Sequence, residues 1–86
     1  MTLTGNLDAA QVSLWWPERT ELFRQNMIDV SAVNKIDSAG VAFLVKWAQA
    51  CQLDNQRLSI QGASPELVQL ISLYGVSALF DLVSPQ

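Results

Sequence analysis

The chain contains no histidine, and this absence excludes several kinds of chemistry. Ser-His-Asp and Cys-His sites, the commonest general base at neutral pH and most zinc sites all require an imidazole. The four glycines form neither a Gly-x-x-x-x-Gly-Lys loop nor a Gly-x-Gly-x-x-Gly loop, so neither phosphate-binding motif occurs. We therefore expect a protein that is not an enzyme and that uses no cofactor or metal. An enzyme is an alternative only if two of the eight carboxylates share a cleft.

Positive charge, cysteine and long apolar runs are scarce as well. The five cations are scattered along a chain of net charge −3, so the basic stripe that nucleic-acid binding requires is missing. The single cysteine, Cys51, cannot form an intramolecular disulfide, which fits a reducing compartment. The longest apolar run, 41–45, is far too short to cross a membrane, and the first residues do not resemble a secretion signal. We expect a cytoplasmic protein that does not insert into the membrane.

Half of the residues are apolar, which is enough for one packed domain over residues 1–86. Three short segments, around residues 2–4, 28–31 and 58–61, alternate apolar and polar side chains and indicate strands with one buried face. Helical segments separate them, which favours parallel pairing. We predict a small α/β domain with a mostly parallel or mixed sheet of about three to four strands and helices mainly on one face.

Three helical segments follow from the spacing of apolar residues and from capping signals. The first covers about 8–24 and is broken or kinked at Pro17. The second runs over about 39–53. The third opens with Ser64 and Pro65 and stops at Gly75, and the tail 76–83 fits either a short helix or a last strand.

The segment 36–40, Ile-Asp-Ser-Ala-Gly, carries the strongest functional signal. Ser38 stands where a helix N-cap is expected, next to unpaired backbone N–H groups and the positive end of the helix dipole. Its hydroxyl could cap the helix, carry a phosphate or contact a partner.

The order of motifs resembles the STAS domain family over nearly the whole chain. The segments that carry the resemblance are Leu3-x-Gly5-x-Leu7-Asp8, Met27-Ile28-Asp29-Val30-Ser31, Ile36-Asp37-Ser38-Ala39-Gly40 and Leu58-Ser59-Ile60-Gln61-Gly62. STAS domains usually carry a further strand before the first of these segments. Met1 lies almost upon that segment, so we expect either an unpaired sheet edge there or a trimmed version of the fold.

Within the family the ending around residues 73–79 is most similar to that of the STAS subunits of Mla-type phospholipid ABC transporters. This resemblance implies a non-enzymatic subunit that binds and supports an MlaF-like ATPase, is peripheral at the inner membrane and helps to maintain outer-membrane lipid asymmetry. The alternative is an anti-sigma factor antagonist, whose phosphorylated Ser or Thr matches Ser38. Whether the isolated chain forms a homodimer through the surface that a partner would cover stays open.

We expect one partner-binding surface. Its residues are Ser38, which is also the possible phosphoacceptor, with Asp37, Gly40, Phe43, Trp47 and Tyr74. Helical periodicity assigns the opposite face to the core, namely Val41, Leu44, Val45, Ala48 and Cys51. Phe43 and Trp47 then form an exposed aromatic anchor, unless they pack against a neighbouring helix. The aromatic pair of Trp15 and Trp16 is expected to be core or a helix-start contact, and a second binding patch is the alternative.

Overall fold

The computed structural model describes residues 2–83, which form one four-stranded sheet with helices between the strands. The strands are β1 (Thr2–Leu7), β2 (Met27–Ile36), β3 (Leu58–Gln61) and β4 (Phe80–Val83). The helices are α1 (Ala9–Trp15), α2 (Arg19–Leu22), α3 (Ser38–Leu53) and α4 (Pro65–Leu73), with 3₁₀ turns at Trp16–Glu18 and Ser77–Leu79. The prediction of a single domain over 1–86 stays a prediction, and its residues 1 and 84–86 lie outside the described range.

All neighbouring strands are parallel, in the order β1-β2-β3-β4. This confirms the α/β fold class and the parallel pairing expected from strands that alternate with helices. Within residues 2–83, β1 is an edge strand that pairs only with β2, and its register with β2 shifts twice.

The core lies on one face of the sheet, which is formed by the buried strand residues. These residues are Leu3, Leu7, Ile28, Val30, Leu58, Ile60 and Phe80, and they form one cluster with side chains of α3 and α4. The residues between them on the strands are polar or partly exposed, as with Thr4, Asp29 and Gln61. The alternation in the sequence therefore predicted the buried residues Leu3, Ile28, Val30, Leu58 and Ile60 of β1, β2 and β3 correctly.

The first helical segment is divided at Pro17, which lies in the 3₁₀ turn between α1 and α2. Proline has no backbone N–H to donate within a helix, so α1 ends before it. In the tail, both expected alternatives occur one after the other, since a 3₁₀ turn leads directly into β4.

The expected exposed aromatic anchor on α3 is wrong. Phe43 and Trp47 are 2% and 0% exposed because the segment with α1 and α2 covers this side of the helix. Rings of Trp15 and Phe23 lie 5.8 and 5.5 Å from Phe43, measured between centroids. The Trp47 indole Nε1 donates a hydrogen bond of 2.8 Å to the carbonyl of Gln25. Packing against neighbouring helical segments, the alternative for these two aromatics, is what occurs.

Candidate functional site

Asp37, and not Ser38, is the N-cap of α3. Asp37 has extended backbone angles, φ −134° and ψ −177°, and its Oδ1 accepts a hydrogen bond of 3.0 Å from the N–H of Gly40. Ser38 is the first residue of α3 itself. It therefore does not occupy the N-cap position, from which a side chain accepts a hydrogen bond from an N–H of the first turn. The prediction that Ser38 caps the helix is wrong by one residue, and the Ser38 hydroxyl is exposed with no hydrogen bond inside residues 2–83.

Asp37 also fixes the position of this helix end relative to β1 and α1. Its second oxygen, Oδ2, accepts a weak hydrogen bond of 3.4 Å from the N–H of Ala9, and its own N–H donates to the carbonyl of Leu7 at 3.1 Å. Gly40 is buried where a Cβ atom would collide with the Leu7 carbonyl oxygen and side chain. A side chain larger than hydrogen at position 40 would push α3 away from β1.

A groove runs along the outer side of α3, beginning at Ser38. It encloses about 360 Å³ and is lined by Ser38, Val41, Ala42, Val45, Lys46, Gln49 and Tyr74. Ser38, Ala42, Val45 and Gln49 follow one another at helical spacing and form one stripe along α3. Tyr74, the C-cap of α4, is 53% exposed and closes the groove from the other side.

The groove combines an apolar floor with polar groups that have no partner among the described residues. Val41, Ala42 and Val45 provide the floor. The side chains of Ser38 and Tyr74 make no hydrogen bond within residues 2–83, and Lys46 makes no ion pair with those residues. Burying this apolar surface would be favourable, and the unpaired polar groups could give a docked protein its orientation.

The structure brings together only part of the expected site. Ser38 and Tyr74 come from distant parts of the sequence and line the same groove. Asp37 adjoins it, with its carboxylate engaged in capping. Gly40, Phe43 and Trp47 are buried and are not available to a partner, which corrects their assignment to a binding surface.

Sequence reasoning missed the middle of the groove. The expected binding surface did not include Ala42, Lys46 or Gln49, and Val45 was assigned to the core, whereas it is half-buried at the groove floor. The available signal was the helical spacing that begins at Ser38 and continues through small or uncharged residues at 42, 45 and 49.

Cys51 is buried, as expected of a small apolar residue. Burial raises the pKa of its thiol, and the negative charge of Asp54 raises that pKa further, so the thiol stays protonated near neutral pH. Cys51 therefore takes part in packing and not in the groove.

The parallel order of the strands, the helices on one face and the Asp-Ser-x-Gly segment that opens the central helix together define a class of protein. The chain belongs to the STAS domain family: the family model described as "Mlab, STAS domain" matches residues 1–84.

Two curated relatives share this similarity. The "Intermembrane phospholipid transport system binding protein MlaB" of Escherichia coli (strain K12) is 27% identical over 79 residues, which is 91% of this chain and 81% of the relative. The protein of the same name from Shigella flexneri shows the same identity and coverage. No helix in residues 2–83 has both the length and the apolar character needed to cross a membrane.

Proposed function

We propose that this chain is a STAS subunit of a bacterial phospholipid-transporting ABC transporter and that it binds the ATPase subunit of that transporter. In this proposal the chain has no enzymatic activity and is held at the cytoplasmic side of the inner membrane by its partner. The relatives support the transport system, since their name assigns them to intermembrane phospholipid transport.

The observation that carries the proposal is the groove beside Ser38. It is an uncovered apolar surface next to the N-terminus of α3, and it includes Tyr74 from the end of α4. The resemblance to STAS transporter subunits implied partner contacts at both Ser38 and Tyr74, and these residues share one groove. Exposed apolar surface rimmed by polar residues is typical of protein-binding sites.

Binding alone would be sufficient for such a subunit to act. A protein that binds one conformation of the ATPase more tightly than the others stabilises that conformation by the difference in binding free energy. The Asp37 cap and the Gly40 contact hold α3 on the sheet. The groove would therefore meet its partner without a large ordering cost.

The test is a matched pair of substitutions at exposed helical alanines. Ala42→Gln places a longer polar side chain in the groove, and Ala10→Gln makes the same change on α1, outside the groove. Both residues are good helix formers, so both variants should fold as the wild type does. Affinity is measured with the purified ATPase subunit of the phospholipid transporter from the same organism.

We expect Ala42→Gln to weaken binding at least about tenfold, since a polar side chain then fills an apolar contact, and Ala10→Gln to bind as the wild type does. If the wild-type chain binds the ATPase subunit and Ala42→Gln binds it equally tightly, the groove is not the docking site. An absence of any binding by the wild-type chain would contradict the proposed partner itself.

An anti-sigma factor antagonist is the second candidate, and one observation favours it. The Ser38 hydroxyl is exposed and not used as a cap, so a kinase could reach it. A phosphate there would add roughly −1.5 to −2 charges at the rim of the groove. Intact-mass analysis of the chain purified from its own organism tests this reading, because a phosphorylated fraction that disappears in Ser38→Ala would favour it over the transporter subunit.

A further inference from the structure

We propose that the groove receives an amphipathic helix of the partner that carries an apolar ridge and a carboxylate positioned to meet Lys46. This inference rests on the proposed function and specifies the chemistry of the docking element. It follows from the charge, shape and composition of the groove.

The charge of the groove comes from one residue. Among the described side chains that line it, Lys46 alone is charged. Two other cations of the chain already have acidic partners, since Arg24 lies 3.8 Å from Glu21 and Arg57 lies 2.9 Å from Asp81. Lys46 has no such partner within residues 2–83, so its ammonium is available to a docked carboxylate.

The rest of the molecule increases the selectivity of this contact. The chain has a net charge of −3, so an acidic segment is repelled on average by its surface. The one charge among the described lining residues is that of Lys46, and the Asp37 carboxylate at the end of the groove accepts the hydrogen bonds of Gly40 and Ala9. Placing the carboxylate at Lys46 therefore favours one orientation of the partner and disfavours displaced ones.

The shape of the groove favours a helix as its occupant. The stripe from Ser38 to Gln49 covers about three helical turns, or roughly 16 Å at 1.5 Å per residue. Its lining comes from α3 and from the end of α4, and no residue of a strand takes part. An extended segment would therefore find no sheet edge in the groove to pair with, whereas a helix can place residues at i, i+4 and i+7 along it.

Docking would strengthen the Lys46 contact. The Lys46 stem adjoins the apolar floor, and a helix lying over the groove would remove water from around the ammonium group. A pair that is partly shielded from solvent interacts more strongly than one at a fully exposed site. A free carboxylate on the partner would then face an unpaired ammonium at the centre of the contact.

The experiment reverses this charge and a matched one. Lys46→Glu is compared with Arg24→Glu, which makes the same reversal just after Phe23, whose ring packs on the aromatic side of α3 away from the groove. The Arg24–Glu21 pair is highly exposed, so its loss should hardly affect the fold. Both variants are titrated with the purified ATPase subunit at low and high salt, and folding is checked by circular dichroism.

We expect Lys46→Glu to weaken binding about tenfold at low salt and by less at high salt, and Arg24→Glu to change the affinity by less than about twofold. In the wild-type complex, a carbodiimide that joins adjacent amines and carboxylates should link Lys46 to an acidic residue on a helix of the ATPase subunit.

Each other result decides against the inference. Equal effects of Lys46→Glu and Arg24→Glu would show general charge steering and overturn it. Unchanged binding by Lys46→Glu, together with a loss in Ala42→Gln, would overturn the acidic contact and leave the groove as the docking site. A Lys46 link to a residue outside any partner helix would overturn the helical occupant.

Discussion

Two adjacent residues at the start of α3, Asp37 and Ser38, have different tasks. The Asp37 carboxylate accepts hydrogen bonds from Gly40 and Ala9, which satisfies backbone donors at the ends of two helices. Ser38 lies at the rim of the groove, and its hydroxyl makes no hydrogen bond to the part of the chain that the structure describes. Both residue types are good N-caps, so composition alone cannot choose between them; the extended backbone at Asp37 decides the assignment.

This division of tasks predicts unequal stability changes. Asp37→Ala should lower the free energy of unfolding by about 1 to 2 kcal/mol, because it leaves the Gly40 N–H without its cap. Ser38→Ala should change it by less than about 0.5 kcal/mol, as expected for a surface substitution. Urea denaturation of the two variants measures both values. A larger loss of unfolding free energy in Ser38→Ala than in Asp37→Ala would show that Ser38 is the N-cap.

Asp29, on the face of the sheet opposite the core, offers a prediction on pH. Hydrogen bonds from the hydroxyl and the backbone N–H of Ser31 lower the pKa of Asp29 below its usual 3.8. A lowered carboxyl pKa means that its contribution to stability is present above pH 3.8 and is lost as the pH falls through the lowered value.

Ser31→Ala should therefore raise the pKa of Asp29 towards 3.8, while the backbone donor holds part of the shift. An NMR titration of the Asp29 carboxyl measures this pKa directly. Ser72→Ala, at an exposed position of α4, serves as the control and should leave the value unchanged. A pKa that does not move in Ser31→Ala would exclude the hydroxyl as its main cause.

At the scale of elements, α3 has two apolar sides, of which one is covered by the rest of the chain and the other is exposed. The side with Phe43 and Trp47 is covered by the segment that contains α1 and α2, whereas the side with Ala42 and Val45 is left open as the groove floor. Covering the large aromatic side chains contributes more to folding than covering small ones, since they bury more apolar area. The side that stays exposed carries the smaller apolar side chains, so leaving it uncovered loses the least free energy of folding in the isolated domain.

Trp47→Phe tests which side is structural. It removes the N–H that bonds the Gln25 carbonyl and leaves a space in the core, so it should lower the free energy of unfolding by about 2 to 3 kcal/mol. Trp16→Phe, at a ring that is 41% exposed, should cost less than about 1 kcal/mol. Thermal or urea unfolding of both variants provides the comparison.

Partner binding by Trp47→Phe should match the wild type at a temperature where the variant is folded. A variant that is as stable as the wild type and binds poorly would restore Trp47 to the binding surface.

The first three strands and α4 could be predicted from local signals, whereas β4 was one of two alternatives for the tail. Alternation identified Ile28, Val30, Leu58 and Ile60 as buried, and α4 follows an N-cap hydrogen bond from the Leu67 N–H to Ser64 Oγ. The open side of α3 could not be predicted, because both sides of that helix are apolar. Which side of α3 stays open depends on where the segments before and after Pro17 pack. This is a tertiary contact, and the periodicity of the sequence does not predict it.

At the scale of the whole molecule, the one-sided architecture covers one face of the sheet and leaves several apolar side chains exposed elsewhere, among them Leu14, Leu53 and Leu73. One face of the sheet is the core, and the opposite face carries polar strand residues such as Thr4 and Gln61 together with the exposed Met27 and Val83. The aromatic side of α3 is already covered within the fold. The groove is thus an apolar surface left over after folding, at a place where Ser38, Lys46 and Tyr74 can orient a partner.

The most direct test of this account is an experimental structure of the chain bound to the ATPase subunit of the phospholipid transporter. We predict that the ATPase covers the groove, so that the Tyr74 side chain falls from 53% exposed to nearly buried and Ala42 contacts the partner. A complex in which Tyr74 and Ala42 keep their exposure while the ATPase contacts the polar face of the sheet would contradict the account.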